Sequence, residues 1–176
     1  MVSINVNHKF LHFRTMDAIK LQRLAHKLYK KKIPCTGLIQ QYIHFRYNCD
    51  ISPITSIGEG TKLGHGGIGC VINPKAIIGR NVTIAQNVTI AGKDGLCPEI
   101  DDWTYIGANS VVLGGVKIGK NVFVGALSLV NKDVPDGAIV AGIPAKIIRV
   151  QTSEEIDEWH QWVLKNRGKN LSYTKD

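Results

Sequence analysis

One histidine stands where a ligand could reach it. His65 lies in the glycine-rich segment LGHGGIG and is the only histidine between residues 45 and 159. An imidazole can accept a proton near neutral pH, and Gly64, Gly66 and Gly67 leave room for a ligand to approach. A lone histidine is more often structural than catalytic, but this one interrupts a repeat. The segment therefore predicts a general base at His65.

The repeat around His65 has a period of six residues. Between residues 51 and 130 an aliphatic residue recurs at every sixth position, with interruptions at 63–72 and 90–106. A small residue usually follows it, as in IGEGTK, IGRNVT and IGKNVF. Neither an α-helix nor an ordinary strand gives this spacing. The aliphatic positions are Ile51, Ile57, Leu63, Ile72, Ile78, Ile84, Ile90, Ile106, Val112, Ile118, Val124 and Val130.

This period predicts an all-β solenoid with a triangular cross-section over residues 49–150. Each hexapeptide forms one short strand and one turn, and the aliphatic residue points into the prism. Asn81, Asn87 and Asn121 recur at a turn position, where we expect positive φ because Asn tolerates it. Residues 93–104 lack the repeat and predict an excursion loop.

The N-terminal pattern is helical and basic. Residues 1–48 predict a helical segment, with an amphipathic helix over 15–32 and a second short helix after Pro34. Residues 1–50 carry nine Lys and Arg against two Asp and Glu, so this segment supplies most of the net charge of +8. A solvated helix face and an anionic partner both explain this charge.

Residues 151–176 predict a C-terminal helix and tail. Thr152 and Glu155 form a capping-box signature, and Trp159 and Val163 then lie on one helical face. The helices at both ends of the chain would cover the open ends of the prism, where unpaired strand edges invite association.

The repeat, the segment LGHGGIGCVIN and the terminal VPDGAIVAGIPAKIIR resemble the hexapeptide-repeat acyltransferases over residues 15–150. The branch it resembles most contains serine acetyltransferase and its relatives in capsule, colanic-acid and O-antigen synthesis. The resemblance implies a left-handed parallel β-helix, acetyl-CoA as co-substrate and a homotrimer, with a dimer of trimers left open. Neither the handedness nor the trimer follows from the period of six.

The resemblance also implies the catalytic pair. In that family a histidine in this setting is the general base, and an aspartate fifteen residues earlier orients it. Here these residues are His65 and Asp50. The spacing is close to one coil, so the two can lie at one edge of the prism, where a carboxylate would fix the imidazole tautomer. A turn cap on the first coil is the alternative role for Asp50.

Residues for CoA are implied by position. Gly92, Ala108 and Ala126 match family positions that contact the pantetheine arm in a groove between subunits. Lys146 and Arg149 are placed to meet the CoA phosphates, lysine as a point charge and arginine as a fork. A solvated final coil is the alternative for Arg149.

Two departures from the family bear on the acceptor. In serine acetyltransferases an acid precedes the histidine and a His-Pro pair lies in the excursion, whereas this chain has Gly64 and Cys97 there. Losing a charged hydrogen bond of about 1.5–3 kcal/mol disfavours an amino acid. We therefore predict a sugar hydroxyl of a surface polysaccharide or its precursor as the acceptor, with Gly64, Cys97, Asp101 and Trp103 in its site. Serine O-acetylation in cysteine biosynthesis is the alternative.

Other classes are disfavoured by the residues present. Zinc enzymes of this fold need three histidines, and the repeat holds one, so no metal is expected. The Asp50–His65 pair and the AGIPAKIIR tail argue against a non-catalytic scaffold. No nucleic-acid motif accompanies the basic segment, so an anionic glycan or membrane leaflet is its expected partner.

The sequence shows no secretory pattern or long apolar run, which predicts a cytoplasmic protein, with docking to the inner membrane face left open.

Overall fold

A computed structural model describes residues 17–166 of the chain. Helices α1 (Ala18–Lys30) and α2 (Thr36–Tyr47) precede a series of short strands, and α3 (Ser153–Lys165) follows them. The strands are β1 Asp50–Ile51, β2 Ser56–Ile57, β3 Lys62–Leu63, β4 Val71–Ile72, β5 Ile77–Ile78, β6 Thr83–Ile84, β7 Thr89–Ala91, β8 Glu99–Ile100, β9 Tyr105–Ile106, β10 Val111–Leu113, β11 Lys117–Ile118, β12 Phe123–Val124, β13 Leu129–Val130, β14 Ala138–Ala141 and β15 Lys146–Val150.

The strands form three sheets, one for each face of a triangular prism. Sheet 1 has the order β1-β4-β7-β10-β13, sheet 2 has β2-β5-β8-β11, and sheet 3 has β3-β6-β9-β12-β14. All these pairings are parallel, and β15 adds an antiparallel strand beside β14. The chain visits the three sheets in turn and returns one coil further along the axis. This is the left-handed parallel β-helix that was predicted.

The pairing register stacks the repeated aliphatic residues into columns inside the prism. In sheet 1 every member of the column is at most 2% exposed. Burying an aliphatic side chain of this size contributes about 1.5–3 kcal/mol, so each coil adds its own share of the core. The column consists of Ile51, Ile72, Ile90, Val112 and Val130.

The corners between sheets are tight turns. Asn81, Asn87 and Asn121 have φ values of 55°, 56° and 57°, which confirms the predicted left-handed conformation. Because a left-handed residue reverses the chain direction sharply, each asparagine turns the backbone from one face of the prism to the next.

The excursion loop is shorter than the predicted 93–104. Ile100 lies in β8, pairs with both neighbouring strands of sheet 2 and is 2% exposed. It stands six residues before Ile106, so the repeat resumes earlier than the sequence analysis placed it. The excursion therefore covers only residues 92–98.

The α1–α2 hairpin closes the N-terminal end of the prism. Asp17 caps α1 by accepting a backbone hydrogen bond at 2.9 Å, so the helix begins later than the predicted residue 15. The Gln22 side chain donates to the carbonyl oxygens of Ser52 and Thr55 at 3.1 and 3.0 Å. Ile43 of α2 is 1% exposed and joins the same core.

Helix α3 runs along the outer side of sheet 3. Thr152 and Glu155 form the predicted capping box at its start. Further along, Trp159 Nε1 donates to the carbonyl oxygen of Trp103 at 2.9 Å, and Val163 is 2% exposed. The helix is therefore anchored at its beginning, middle and end.

Parts of the predicted terminal segments lie outside the described residues. The helical segment 1–48 and the C-terminal segment 151–176 both extend beyond residues 17–166. The division of the chain into three segments stays a prediction. Within residues 17–166 no helix is long and apolar enough to cross a bilayer.

Candidate active site

His65 lies in a turn that leaves its side chain exposed to solvent. Residues 64–67 form a short 3₁₀ turn after β3, at the first interruption of the repeat. His65 has φ 50° and ψ 33°, and Gly66 follows with φ 74°. A left-handed histidine is uncommon, and such conformations concentrate at functional sites. The side chain is exposed, and within residues 17–166 its ring has no hydrogen-bond partner.

One corner of the prism joins His65 to predicted CoA residues. Pairing in sheet 3 places the residues two positions after Leu63, Ile84, Ile106, Val124 and Val140 at the corner between sheets 3 and 1. We call this the open corner, and it consists of His65, Gln86, Ala108, Ala126 and Gly142. Three of its four residues beyond His65 are alanine or glycine, so a narrow ligand can lie against the backbone there.

Asp50 stands where the His65 turn rejoins sheet 1. Its backbone N–H donates to the carbonyl oxygen of Cys70 at 2.8 Å. Its carboxylate is exposed and accepts a hydrogen bond from Gln40 Nε2 at 3.4 Å. Within residues 17–166 no hydrogen bond joins this carboxylate to the His65 ring, so the orienting role stays a prediction.

Two residues of α2 stand over the same turn, and the sequence analysis assigned neither of them. Gln40 contacts Asp50, as described above. The Tyr47 ring lies beside Gly66, with Cδ1 3.5 Å from the point where a Cβ on that glycine would lie. Burial raises the pKa of Tyr47 above its ordinary value. No motif signals these contacts, because they arise only when α2 docks on the first coil.

Gly64, immediately before the base, is buried against the next coil. A Cβ at this position would lie 3.3 Å from the Cα of Ala85, which is closer than an ordinary contact. An acidic side chain at residue 64 would therefore require a shift of the neighbouring backbone. This chain holds no carboxylate in that place.

The excursion lies at a different corner, between sheets 1 and 2. It borders a 390 Å³ cavity whose lining includes Gly92, Cys97 and Asn73. The Cys97 thiol donates to Asn73 Oδ1 at 3.3 Å. A Cβ on Gly92 would lie 2.8 Å from the carbonyl oxygen of Leu96, so the closed loop requires glycine there. In one chain the width of sheet 1 separates these residues from His65.

The two predicted phosphate contacts differ in their surroundings. Arg149 forms a fork with Glu155, with both N–O distances at 2.6 Å. This guanidinium lowers the pKa of Glu155 to about 2. Lys146 is exposed and, within residues 17–166, forms no ion pair. The structure therefore assigns Arg149 to the start of α3 and leaves Lys146 available to a phosphate.

The third corner, between sheets 2 and 3, is covered by α3. We call it the covered corner, and it consists of residues 101–103 and Asn121. The Trp103 ring stacks on His160 with centroids 4.0 Å apart, and His160 Nε2 lies 2.7 Å from Asn121 Oδ1. Asp101 and Trp103 are thus not brought together with His65. Their predicted part in an acceptor site finds no support within one chain.

Two of the cysteines, Cys49 and Cys70, lie buried in the core. Burial raises the pKa of Cys49 to about 12 and also raises that of Cys70, so both thiols are neutral and behave as core residues. Within residues 17–166 no group of three or more His, Cys, Asp or Glu side chains could hold a metal ion.

Comparisons with known proteins bear directly on this geometry. A family model described as bacterial transferase hexapeptide (six repeats) matches residues 99–132. The chain is 37% identical to serine acetyltransferase 2 of Arabidopsis thaliana over 157 residues, which are 86% of this chain and 48% of that protein. It is 37% identical to the serine acetyltransferase of Bacillus pumilus over 152 residues, 84% of this chain and 69% of that protein. The chain thus spans about half the length of its plant relative.

Solved structures give the same result. The serine acetyltransferase of Neisseria gonorrhoeae in complex with serine matches with a TM-score of 0.69 and 36% identity, covering 73% of this chain and 54% of that one. A serine acetyltransferase in complex with CoA matches with a TM-score of 0.68 and 32% identity, covering 74% of this chain and 55% of that one.

These findings overturn the predicted acceptor. The prediction of a polysaccharide hydroxyl rested on Gly64 and Cys97, and it is wrong. Those two residues report on one subsite, whereas the similarity extends over 84% of the chain. A lost charged hydrogen bond of about 1.5–3 kcal/mol weakens a ligand without changing the class of reaction.

Proposed function

The chain belongs to the serine acetyltransferase family, and from that premise we propose that it transfers the acetyl group of acetyl-CoA to the hydroxyl of L-serine. The observation that carries the proposal is the open corner, where an exposed histidine and the small residues Ala108 and Ala126 share one edge of the prism. This is the alternative that the sequence analysis placed second.

His65 acts as the general base in this proposal. Its imidazole takes the proton from the serine hydroxyl while the hydroxyl oxygen attacks the thioester carbonyl carbon. The resulting tetrahedral intermediate collapses, the C–S bond breaks, and the imidazolium returns the proton to the CoA sulfur. A positioned base of this kind contributes about 10²–10⁴-fold to the rate.

The glycine-rich turn supports the same step. Gly66 and Gly67 follow His65 with positive φ, a conformation that glycine adopts without strain, so the turn holds backbone N–H groups next to the base. Backbone donors of this kind stabilise the negative charge that develops on the carbonyl oxygen. Asp50, held by Gln40, stands at the end of the same turn and would orient the base.

CoA would extend along the open corner away from His65. Ala108 and Ala126 leave the backbone accessible to the pantetheine arm. Lys146 lies four residues after Gly142, at the far end of the corner, and offers its ammonium group to a phosphate. Gly92 and Cys97 lie one sheet away, so in this proposal they reach the ligand from a neighbouring subunit.

A homotrimer would supply that neighbour. Ile68, Leu127 and Ile143 are 50%, 64% and 74% exposed and lie at or next to the open corner. Apolar side chains exposed along an edge favour burial against another chain. A groove formed in this way would bring the excursion of one subunit to the base of the next, and whether trimers pair further stays open.

Release of CoA thiol from acetyl-CoA tests the proposal. L-serine should support turnover in the wild type, with glycine as a control that lacks the hydroxyl. His65→Ala should lower serine-dependent thiol release by about 10²–10⁴-fold while leaving the thermal midpoint unchanged. Absence of turnover with serine in a folded, CoA-binding protein would disprove the acceptor, and full activity of His65→Ala would disprove the base.

A further inference from the structure

An unpartnered apolar stripe runs along α2. Leu38, Tyr42 and Phe45 are spaced by four and three residues, which places them on one side of the helix. They are 66%, 40% and 90% exposed. A phenylalanine that is 90% exposed on a helix leaves a large apolar surface in water. Three exposed apolar side chains on one side of a helix indicate a surface that something covers.

The two helices and the turn of the hairpin carry basic residues and no acidic ones. Residues 18–49 contain seven Lys and Arg and no Asp or Glu. Lys30 ends α1, Lys31 and Lys32 follow in the turn before α2, and Arg46 follows Phe45, so cations lie before and after the stripe along the chain. Within residues 17–166 none of these three lysines forms an ion pair.

The hairpin presents this surface away from the β-helix. Its inner side is committed to the first coil through Gln22, Ile43 and the Arg23 guanidinium, which donates to the carbonyl oxygen of Gly58 at 2.7 Å. The stripe lies on residues outside those contacts, at the N-terminal end of the prism. A flat surface can therefore approach it without meeting the sheets.

A cavity between the lysines adds a place for a headgroup. It has a volume of 510 Å³ and is lined by Tyr29, Lys30, Lys32, Ile33 and Pro34. Aromatic and aliphatic side chains next to lysines are the combination that proteins use at the boundary between lipid headgroups and acyl chains.

We propose that the outer face of the α1–α2 hairpin docks on an anionic phospholipid surface. Leu38, Tyr42 and Phe45 enter the boundary between headgroups and acyl chains, and Lys30, Lys31 and Lys32 contact the phosphates. Charge complementarity favours this occupant over a second copy of the chain, because two copies would bring two uniformly basic faces together.

Vesicle sedimentation with the full chain tests this docking. The probes are phosphatidylcholine vesicles with and without phosphatidylglycerol, at low and at high salt. Binding is expected only to the anionic vesicles and is expected to weaken with salt. Point variants are used instead of a deletion, since removing residues 1–32 would also remove the Gln22 contacts to the first coil.

Two matched pairs of variants separate charge from apolar contact. The triple change of Lys30, Lys31 and Lys32 to Gln should reduce binding about 100-fold, whereas the same change at Lys75, Lys120 and Lys132 on the β-helix should have little effect. Phe45→Ser should reduce binding about tenfold, whereas Leu164→Ser on α3 should not. Acetyl transfer measured without vesicles should be the same in all four variants.

Three results would overturn the proposal. The first is no binding to anionic vesicles at low salt, and the second is equal loss in the target and control variants. The third is a fall in molar mass of Phe45→Ser by light scattering without any vesicle binding, which would make the stripe an interface between copies. None of these results depends on whether serine is the acceptor, so the two proposals fail separately.

Discussion

The open corner and the covered corner are built by the same repeat but differ in what surrounds them. At the open corner the chain places His65 and small residues, and His65, Ala126 and Gly142 stay exposed there although Tyr47 of α2 lies beside the turn. At the covered corner the turn carries Trp103, whose ring packs against His160 of α3. A β-helix offers three equivalent edges, and the side chains at each edge determine whether it becomes a site or a packing surface.

His65 lies at the open corner and His160 of α3 lies against the covered corner, which makes a direct contrast possible. His65→Ala should lower kcat with L-serine by about 10²–10⁴-fold, because the proton acceptor is lost. His160→Ala should leave kcat within about twofold, since its ring contacts Trp103 and Asn121 at the covered corner and not the open corner. Steady-state kinetics of the two variants provide the measurement. A large kinetic effect of His160→Ala would show that the covered corner takes part in the reaction.

The covered corner should dominate stability instead. Trp159→Ala removes the hydrogen bond to Trp103 and the stacking on Trp162, and the partly buried ring should cost about 3 kcal/mol, the low end for tryptophan. Denaturant unfolding measures this loss, and the KM for acetyl-CoA should stay unchanged. An unfolding free energy equal to that of the wild type would mean that α3 does not stabilise sheet 3.

A bulky residue should block the open corner. Ala126→Trp would fill the edge along which the pantetheine arm is proposed to lie, and the KM for acetyl-CoA should rise about tenfold, equivalent to about 1.4 kcal/mol. Lys120→Trp, at a position that is also exposed and lies beside the covered corner, serves as the control and should leave KM unchanged. Equal KM values for the two variants would place CoA elsewhere.

The smallest expected effect concerns the ion pair at the start of α3. Arg149 lowers the folded-state pKa of Glu155 to about 2, so the pair stabilises the fold above the ordinary glutamate pKa. This contribution should disappear as the pH falls towards 2. Thermal midpoints of the wild type and Glu155→Gln should therefore differ at neutral pH and converge in acid. A constant difference across this range would contradict the assignment.

The same two corners show how far sequence reasoning reached. The period of six predicted the prism, its core columns and the turn asparagines, because an inward side chain every sixth residue leaves no other regular structure. It missed the early return of the repeat at Ile100, although that residue stands six positions before Ile106. The predicted roles of Asp101 and Trp103 came from their place in a loop; Trp103 occupies a left-handed turn position with φ 64°, and its role in binding stays a prediction.

The sequence by itself determined the repeat, the class of fold and the candidate base, since these depend on local spacing and on single residue types. Only the tertiary structure decided which residues meet across coils. It set Tyr47 and Gln40 over the His65 turn, tied Arg149 to Glu155 and put the excursion one sheet away from the base. Such contacts join residues distant along the chain, and no local pattern encodes them because they depend on how whole helices dock on the prism.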